Sequence, residues 1–334
     1  MGTVRQIKCL VLSLLYAGNL SLFGEIFHLP SPNGNPQLPQ SYLQPTEPLK
    51  DNGGFGLLRE NGTRYHGGID IRPAYPLENG EPSDPIFAVA SGTVVYVNDA
   101  ENLSSYGRYV VIEHGELPLP IFSLYAHLAS IASEVKIHKK VHGGQCIGMM
   151  GRSSNAAKIV PELAHLHLEM GLRLGSPRAF QKWYREHYFD SPNDHGHWNG
   201  LNLVSFDPLP ILQNRGQCNV LSAVQRLETA FITRIYADKV PDFLHRYPAL
   251  VVRKGRKIAN EPNAYDVHWT WNGIPKAWHP HRAKVPANPA PQLLYVDKRQ
   301  VNFAMGRGLL AADDSPIISL GPRFFDTLKK IFGE

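Results

Sequence analysis

Short β-rich runs separated by turn residues fill much of residues 87–172 in this chain of 334 residues. The runs cover residues 87–90, 92–97, 109–114, 121–127, 146–147 and 164–172. Glycine and serine mark the turns between them, as at Ser91-Gly92 and Gly143-Gly144. Closely spaced short strands joined by such turns are typical of antiparallel sandwiches and barrels. The sequence therefore predicts a mostly β fold, with an antiparallel sandwich or barrel-like domain.

The length of the chain predicts two domains. At roughly 100–200 residues per domain, 334 residues leave room for a second, smaller one. We predict the β-rich domain over residues 55–213, after an irregular lead-in over 25–54 that is dense in Pro, Asn, Gly and Gln. Its aromatic and His-rich residues 175–203 predict an insertion with one short helix. Residues 220–334 are predicted as a smaller α+β domain of unknown role.

Hydrophobic patterns within residues 220–334 predict both helices and strands. Helical spacing covers residues 220–232, and alternation over 249–252 and 265–271 predicts strands. Residues 322–332 predict a closing amphipathic helix, since Pro322 stands near its start. We expect one face of this helix to pack on the body of the protein. The residues predicted on that face are Phe324, Phe325, Leu328 and Ile331.

The N-terminus predicts export from the cell. Arg5 and Lys8 precede an apolar stretch over residues 9–23, and this pattern is typical of a secretory signal. A spanning helix would need about 20 continuous apolar residues. We therefore predict residues 1–24 as a signal peptide, either cleaved or retained as an N-terminal anchor. The protein is then expected in the periplasm, in the cell envelope or secreted.

Charge and cysteine content narrow the partners only slightly. A net charge of +5 and a pI near 9.0 imply mild attraction to anionic polymers, which include cell-wall material as well as nucleic acid. No run of Lys or Arg is long enough to favour nucleic acid, so we predict no such partner.

Beyond the N-terminal segment the cysteines are Cys146 and Cys218. An oxidising compartment would permit them to pair, and the sequence leaves the pairing open.

Two short motifs supply the side chains of a metal site. His66 and Asp70 stand in His-Gly-Gly-Ile-Asp, and His165 and His167 stand in His-Leu-His within a predicted strand. Side chains at i and i+2 of a strand share one face, so the paired imidazoles would lie side by side. A catalytic zinc takes three protein ligands and keeps one position for water. His66, Asp70 and one of the paired histidines would form that set.

An ordered series of further motifs surrounds these residues, from Phe55-Gly56 to Asp207-Pro208-Leu209. It includes Ala88-Val89-Ala90-Ser91-Gly92, Tyr109-Val110-Val111-Ile112-Glu113-His114, Leu124-Tyr125-Ala126-His127-Leu128 and Gly144-Gln145-Cys146-Ile147-Gly148. With these motifs the sequence resembles the lysostaphin-type zinc endopeptidases, which cut peptide cross-links in bacterial cell walls. The resemblance implies a fold of the duplicated hybrid motif type and a zinc metalloendopeptidase with one Zn²⁺ per chain. It also implies peptidoglycan peptide as the substrate.

The resemblance further implies a division of roles among five residues. His66, Asp70 and His167 are expected to bind zinc, while His127 and His165 stay off the metal beside the reactive water. Histidine titrates in the range that a proton carrier needs. His165 is therefore expected as the general base, and His127 is expected to position water or stabilise the tetrahedral intermediate, although these roles could be exchanged.

Two alternatives to a cell-wall peptidase stay open. One is a catalytically silent member of the family that regulates another wall hydrolase, which would be expected to have lost ligands. The other is a secreted peptidase that acts on proteins. This sequence keeps all five positions, which favours an enzyme.

Other polar and aromatic residues near the motifs have two interpretations each. Glu169 is expected to contact a metal ligand or to form a structural salt bridge, and His114 is expected to be an ordinary surface or core histidine. Residues 151–165 are longer than is usual in the family, and Ala164 stands where proline commonly precedes the paired histidines, so the groove wall could differ. Aromatic, His and Asn side chains of the insertion are expected to contact substrate or to pack over the β core. These side chains are Trp183, Tyr184, His187, His195, His197, Trp198 and Asn199.

Overall fold

Antiparallel strands form most of the regular structure in this computed structural model, which describes residues 25–45, 52–59, 64–155, 159–215, 218–252, 262–312 and 317–333. In chain order the strands are β1 (Leu58–Arg59), β2 (Arg64–Tyr65), β3 (Ile69–Ile71), β4 (Pro85–Phe87), β5 (Gly92–Asn98), β6 (Arg108–His114), β7 (Ile121–Ile131), β8 (Lys140–Val141), β9 (Cys146–Met150), β10 (Leu166–Arg173), β11 (Leu203–Phe206), β12 (Phe231–Tyr236), β13 (Ala264–Trp269), β14 (Pro275–His281), β15 (Gln292–Val296), β16 (Leu310–Ala312) and β17 (Ile318–Leu320). The predicted mostly β, antiparallel fold is confirmed. The predicted signal, residues 1–24, lies outside the described residues.

Helices are short and lie mainly in the C-terminal half. They are α1 (Pro39–Tyr42), α2 (Pro177–His187), α3 (Leu209–Gln213), α4 (Val220–Arg226), α5 (Asp242–Arg246), α6 (Val301–Gly306) and α7 (Pro322–Phe332). The Ser176 side chain caps α2 by accepting a hydrogen bond from the Ala179 N–H at 3.3 Å. This helix confirms the short helix predicted within residues 175–203. Among the described helices, none has the length and apolar character needed to span a membrane.

The largest sheet has nine strands. Its main order is β11-β10-β7-β6-β5-β8, with β3 paired to β10, and with β9 joining β4 to β7. The two ends of this order, β11 and β8, do not pair with each other among the described residues. The sheet is therefore open and does not close into a barrel.

Side chains of β10 alternate between the two faces of this sheet. Leu166, Leu168 and Met170 belong to the main hydrophobic core. His167 and Glu169 fall on the opposite face, because side chains of a strand alternate with a period of two. That second face is covered in part by a smaller cluster of buried side chains that includes Trp198. The sheet thus buries both faces, and the paired-histidine motif lies on the face of the smaller cluster.

Three predicted elements end or begin elsewhere than expected. The strand predicted over residues 87–90 ends at Phe87 in β4. The helix predicted over 220–232 ends with α4, because Phe231, Thr233 and Ile235 alternate into the core as part of β12. The strand predicted over 249–252 is wrong: Pro248–Leu250 form a 3₁₀ turn, which the fixed φ of a first proline favours.

A second antiparallel sheet, in the order β14-β13-β12-β15, forms the C-terminal region. Trp269 of this sheet stacks on Phe231 at 6.0 Å between ring centroids and meets Phe324 of α7 edge-on at 5.3 Å. The main core joins this sheet to the larger one, since Trp269 and Met170 belong to one cluster. Asn272 adds a hydrogen bond of 2.7 Å from its Nδ2 to the Ser205 carbonyl of β11. The boundary predicted between residues 213 and 220 stays a prediction, and these contacts connect its two sides.

The closing helix predicted over residues 322–332 is confirmed as α7, with one correction to its packed face. Phe324, Leu328 and Ile331 are buried, whereas Phe325 is 42% exposed. Successive helical residues are about 100° apart around the axis. Phe325 therefore falls outside the stripe formed by the other three.

The two cysteines of the described residues are both free. Cys218 is buried, and burial raises the pKa of its thiol to about 11. Cys146 directs its thiol to the Gly148 carbonyl at 3.6 Å. The pairing that the sequence leaves open is absent, and both side chains are packed as separate thiols.

Replacing Phe324 tests the packing of α7. Phe324→Ala should lower the free energy of unfolding by about 3–5 kcal/mol, because it leaves a cavity in a well-packed aromatic cluster. Phe325→Ala removes the same side chain from the next, exposed position and should change it by no more than about 0.5 kcal/mol. Guanidinium denaturation of the two variants measures the difference. Equal losses would contradict the packing described for this helix.

Candidate metal centre

Strand pairing brings together two motifs that are distant in the chain. β3 and β10 pair so that Asp70 lies directly opposite His167. Asp70 Oδ1 is 2.9 Å from His167 Nδ1 and 3.0 Å from His66 Nε2, and these two nitrogens are 3.1 Å apart. Among the His, Cys, Asp and Glu side chains of the described residues, these three form a group whose possible metal-binding atoms all lie within 4.8 Å of one another. The structure therefore brings together the three predicted metal ligands.

The close approach of β3 to β10 requires the second glycine of the His-Gly-Gly-Ile-Asp motif. A Cβ atom on Gly68 would lie 2.2 Å from the Leu168 carbonyl oxygen, closer than any real contact. Glycine at this position lets the chain between His66 and Asp70 run against β10. The motif thus encodes both the predicted ligands and the backbone fit that places them.

Hydrogen bonds fix which nitrogen of each ligand histidine faces the centre. His66 donates from Nδ1 to the Gly54 carbonyl at 2.6 Å, and His167 donates from Nε2 to Glu169 Oε1 at 3.0 Å. In a neutral imidazole the other nitrogen then carries the lone pair. These are the His66 Nε2 and His167 Nδ1 atoms that lie beside Asp70. The donor set, two imidazole nitrogens and one carboxylate oxygen, fits Zn²⁺.

The buried carboxylate of Asp70 stays ionised. Burial alone would raise its pKa, but the neighbouring His165 and His66 and the hydrogen bonds from His167 and His66 hold it well below its usual range. Burial alone would likewise lower the pKa of His167, yet its hydrogen bonds with Asp70 and Glu169 raise it to about 9. The centre is therefore a pocket of buried carboxylates that stabilises positive charge.

His165 and His127 lie beside this triangle of ligand atoms and outside it. Their ring centroids are 4.8 Å apart, and His165 Nε2 is 3.5 Å from Asp70 Oδ1. His165 Nδ1 donates to the Leu163 carbonyl at 2.7 Å, and His127 Nδ1 donates to the Ser153 carbonyl at 2.8 Å. The two Nε2 atoms then carry the lone pairs when the rings are neutral. The predicted pair of catalytic histidines is thus adjacent to the predicted ligands.

The backbone at His127 is strained. Its φ is 60°, in the left-handed region that few residues other than glycine adopt. β7 is irregular here, with a shift in its pairing to β9 between Leu128 and Ser130. Burial and the neighbouring His165 and His167 hold the pKa of His127 well below its usual range. Strain of this kind often marks functional sites.

Glu169 connects His167 to residues that the sequence analysis missed. Its Oε1 accepts hydrogen bonds from His167 Nε2 at 3.0 Å and from the Tyr106 hydroxyl at 2.6 Å, and its Oε2 accepts one from Ser205 at 2.8 Å. Both roles predicted for Glu169 stay predictions, because its partner His167 is a predicted metal ligand and the same contact is an ion pair when the imidazole is protonated. Tyr106 and Ser205 come from a turn and from β11, where no motif marks them.

His114 is the core histidine that the sequence analysis allowed. It is 1% exposed and lies between the Ser91 carbonyl at 2.9 Å and the Ser123 hydroxyl at 2.8 Å. Burial lowers the pKa of its imidazole to about 4. His114 is thus neutral and structural, away from the metal centre.

The insertion both packs on the sheet and borders the centre. Trp183, Tyr184 and Trp198 are buried and cover the protein interior, and Trp183 also lines the cleft at the centre. His187 and Asn199 line the same cleft as the centre. The lengthened segment before β10 also has a defined role, since it ends in the 3₁₀ turn Pro161–Leu163 whose last carbonyl orients His165.

One cleft of about 650 Å³ leads away from the metal centre. His127, His167 and Glu169 line it at the centre, and Arg307 and Lys330 line it from the C-terminal region. The sequence leaves the role of residues 220–334 open, with cover of the groove among the alternatives. The C-terminal region therefore builds part of the cleft that a substrate would enter.

Comparisons with known proteins single out the same stretch of chain. The family model of peptidase family M23 matches residues 64–177, which include all five predicted site residues. The lipoprotein NlpD of Yersinia enterocolitica is 32% identical over 91 residues, which are 27% of this chain and 80% of that protein.

Solved structures with similarity to the chain include two named as peptidases. A zinc-containing peptidase from Vibrio cholerae is 27% identical, with 35% of this chain and 31% of that chain covered and a TM-score of 0.26. The catalytic domain of the antimicrobial peptidase lysostaphin from Staphylococcus simulans is 21% identical, with 48% of this chain and 87% of that chain covered and a TM-score of 0.29.

Removing the carboxylate of Glu169 tests its role behind His167. Glu169→Ala should weaken Zn²⁺ binding by about 10–100-fold, because the imidazole loses the partner that fixes its orientation. Glu169→Gln keeps an oxygen that can accept the His167 N–H and should lose less. Competition with a chromophoric chelator measures both, with the exposed Glu134→Ala as the control. Unchanged affinity in Glu169→Ala would contradict this role.

Proposed function

This chain belongs to peptidase family M23, and from that premise we propose that it is a zinc-dependent endopeptidase that hydrolyses peptide cross-links of bacterial peptidoglycan. The observation that carries the proposal is the convergence of His66 Nε2, Asp70 Oδ1 and His167 Nδ1 within about 3 Å of one another. Two further histidines border the same point. This arrangement supports a metal site with its proton carriers beside it.

His66, Asp70 and His167 are the residues that would hold the zinc. Asp70 is ionised, and each histidine engages its other nitrogen as a donor. The protons that His66 Nε2 and His167 Nδ1 share with Asp70 in the absence of zinc would be displaced on metal binding. Zinc bound there would polarise the scissile carbonyl and lower the pKa of a water molecule toward about 7. Glu169 is proposed as a positioning residue, because its Oε1 accepts a hydrogen bond from His167 Nε2 and so fixes the orientation of that ring. Its hydrogen bonds described above do not involve His66 or Asp70.

His165 is proposed to carry the proton in this reaction. Its Nε2 faces the ligand triangle at 3.5 Å from Asp70 Oδ1, and its Nδ1 is engaged by the Leu163 carbonyl. Nε2 would therefore take the proton from the attacking water and return it to the leaving amine. Because Nδ1 donates its proton to a backbone carbonyl, the neutral ring keeps the tautomer in which Nε2 can accept a proton, as this role requires.

His127 is proposed to stabilise the reacting oxygen or to position water. Its Nδ1 is held by the Ser153 carbonyl, and its ring meets the His165 ring edge-on. The strained backbone at this residue gives it a fixed position beside the centre. An exchange of roles between His127 and His165 is compatible with this geometry, because both present Nε2.

Export and the C-terminal region belong to the same proposal. Cleavage of a cell-wall polymer requires the enzyme outside the cytoplasm, for which residues 1–24 supply a predicted signal. Residues 220–334 are proposed to shape the cleft, since Arg307 and Lys330 line it. A silent regulatory member would be expected to have lost ligands, and this chain keeps them with their supporting hydrogen bonds.

Substitution of single histidines separates metal binding from turnover. His66→Ala and His167→Ala should lose both bound zinc and activity, because each removes a ligand. His165→Ala should keep most of the zinc and lose turnover by at least about 100-fold, since a positioned acid–base group contributes 10²–10⁴-fold. The exposed His142→Ala is the control and should match the unaltered protein. Metal content by mass spectrometry and peptide release from purified peptidoglycan are the measurements.

The same incubations identify the substrate. Purified peptidoglycan and a Gly-rich peptide are offered separately, and the new amino termini are sequenced. Release of new amino termini from peptidoglycan by the zinc-loaded protein is the expected result. Cleavage of the free peptide alone would favour a peptidase of proteins, zinc binding without any cleavage would favour a silent regulator, and full activity in metal-free protein would refute the mechanism.

A further inference from the structure

Two arginines of the C-terminal region line the cleft without an acidic partner. Arg307 follows α6, and Arg323 lies in the first turn of α7. Both line the cleft that contains His127 and His167. Among the described residues, no carboxylate forms an ion pair with either guanidinium, and the charge that acts most strongly on Arg307 is that of Arg323. The carboxylates that line the same cleft, Glu169 and Asp326, form no ion pair with either guanidinium in the described part of the chain.

Arg307 is held in place although it lacks an ionic partner. Its guanidinium carbon lies 4.4 Å from the centroid of the Tyr65 ring. Its Nε is buried and has no hydrogen-bond partner in the described structure. Burial and the nearby Arg323 lower its pKa to about 10, so it remains charged at neutral pH. A half-buried charge and donor without partners are unfavourable, and an anion in the cleft would relieve both.

The position of Tyr65 relates this arginine to the metal centre. Tyr65 immediately precedes His66, a proposed zinc ligand, and its hydroxyl accepts a hydrogen bond of 3.3 Å from Asn272. Adjacent Cα atoms are about 3.8 Å apart. The separation between Arg307 and the centre is therefore comparable to the length of a few residues of an extended peptide, at about 3.4 Å per residue.

We propose that Arg307, with Arg323 beside it, binds a free carboxylate of the peptide substrate and so selects acidic peptides. The proposal rests on the proposed function, because it assumes a peptide in the cleft. A planar guanidinium matches a carboxylate with two parallel hydrogen bonds. A bridge built only of glycine offers no side-chain carboxylate to this site. The substrate class is therefore a peptide with a free carboxylate within a few residues of the scissile bond.

The test compares two forms of one substrate. Cross-linked muropeptides are prepared with free carboxylates, and a matched batch is amidated with carbodiimide and ammonia. The zinc-loaded full-length protein should cleave the free form with a kcat/KM about 10–100-fold above that for the amidated form, the range expected for charge-assisted hydrogen bonds. Arg307→Gln should lose this preference by cleaving the free form more slowly, with little change on the amidated form. Equal kcat/KM on the two forms in the unaltered protein would overturn the proposal.

Two more variants separate a specific site from general charge and from misfolding. Arg178→Gln removes a positive charge from an exposed position on α2 outside the cleft and should keep the full preference. Arg307→Lys keeps the charge without the planar fork and should retain only part of it. Arg307→Gln should still bind one zinc, which shows that the centre is folded. The same loss in Arg178→Gln as in Arg307→Gln would attribute the preference to net charge and overturn the site.

A binding measurement keeps this test independent of the proposed reaction. If the zinc-loaded protein cleaves neither form, the proposed function fails, and calorimetry of the free and amidated muropeptides on His165→Ala then decides on the carboxylate site. Tighter binding of the free form, lost in the double variant with Arg307→Gln, would support the site. Equal binding of the two forms, or no binding of either, would overturn it.

Discussion

The antiparallel pairing of β3 with β10 is the interaction on which the proposed metal centre depends. It sets Asp70 opposite His167, and Gly68 permits the contact because no Cβ would fit there. A slip of one residue in this register would turn every β10 side chain to the other face. The leucines of β10 hold the register, since they are packed in the main core. A hydrophobic pattern on one face of the strand thus fixes the chemistry on the other.

Charge within the centre is balanced by a small set of buried partners. Asp70 and Glu169 are both carboxylates in the interior, and the hydrogen bonds of His167 connect them. Backbone carbonyls orient His66, His127 and His165. Buried charges are tolerated when they are paired and hydrogen-bonded, and the same hydrogen bonds select the donor atoms. The arrangement is therefore preorganised for a cation.

The sequence predicts the parts of the site that local patterns encode. The spacing of His165 and His167 predicts that both lie on one strand face. In the structure His165 immediately precedes β10, and both imidazoles lie beside Asp70. Tyr106, Ser205 and Arg307 were missed, because each reaches the site through tertiary packing and no motif marks it. Phe325 shows the same limit in the fold: its hydrophobicity is plain in the sequence, but its angle on the helix leaves it exposed. Where β12 replaces a predicted helix, alternation into the core prevails over helical spacing.

X-ray absorption at the zinc edge tests the central claim most directly, that two of the four clustered histidines bind the metal. The zinc-loaded protein should show two imidazole ligands and the remaining ligands as oxygen, at about 2.0–2.2 Å. Asp70→Ala should reduce the number of oxygen ligands or abolish binding, while His127→Ala should leave the spectrum unchanged. Three or four imidazoles around the zinc, or a spectrum altered by His127→Ala, would contradict the division between ligands and proton carriers.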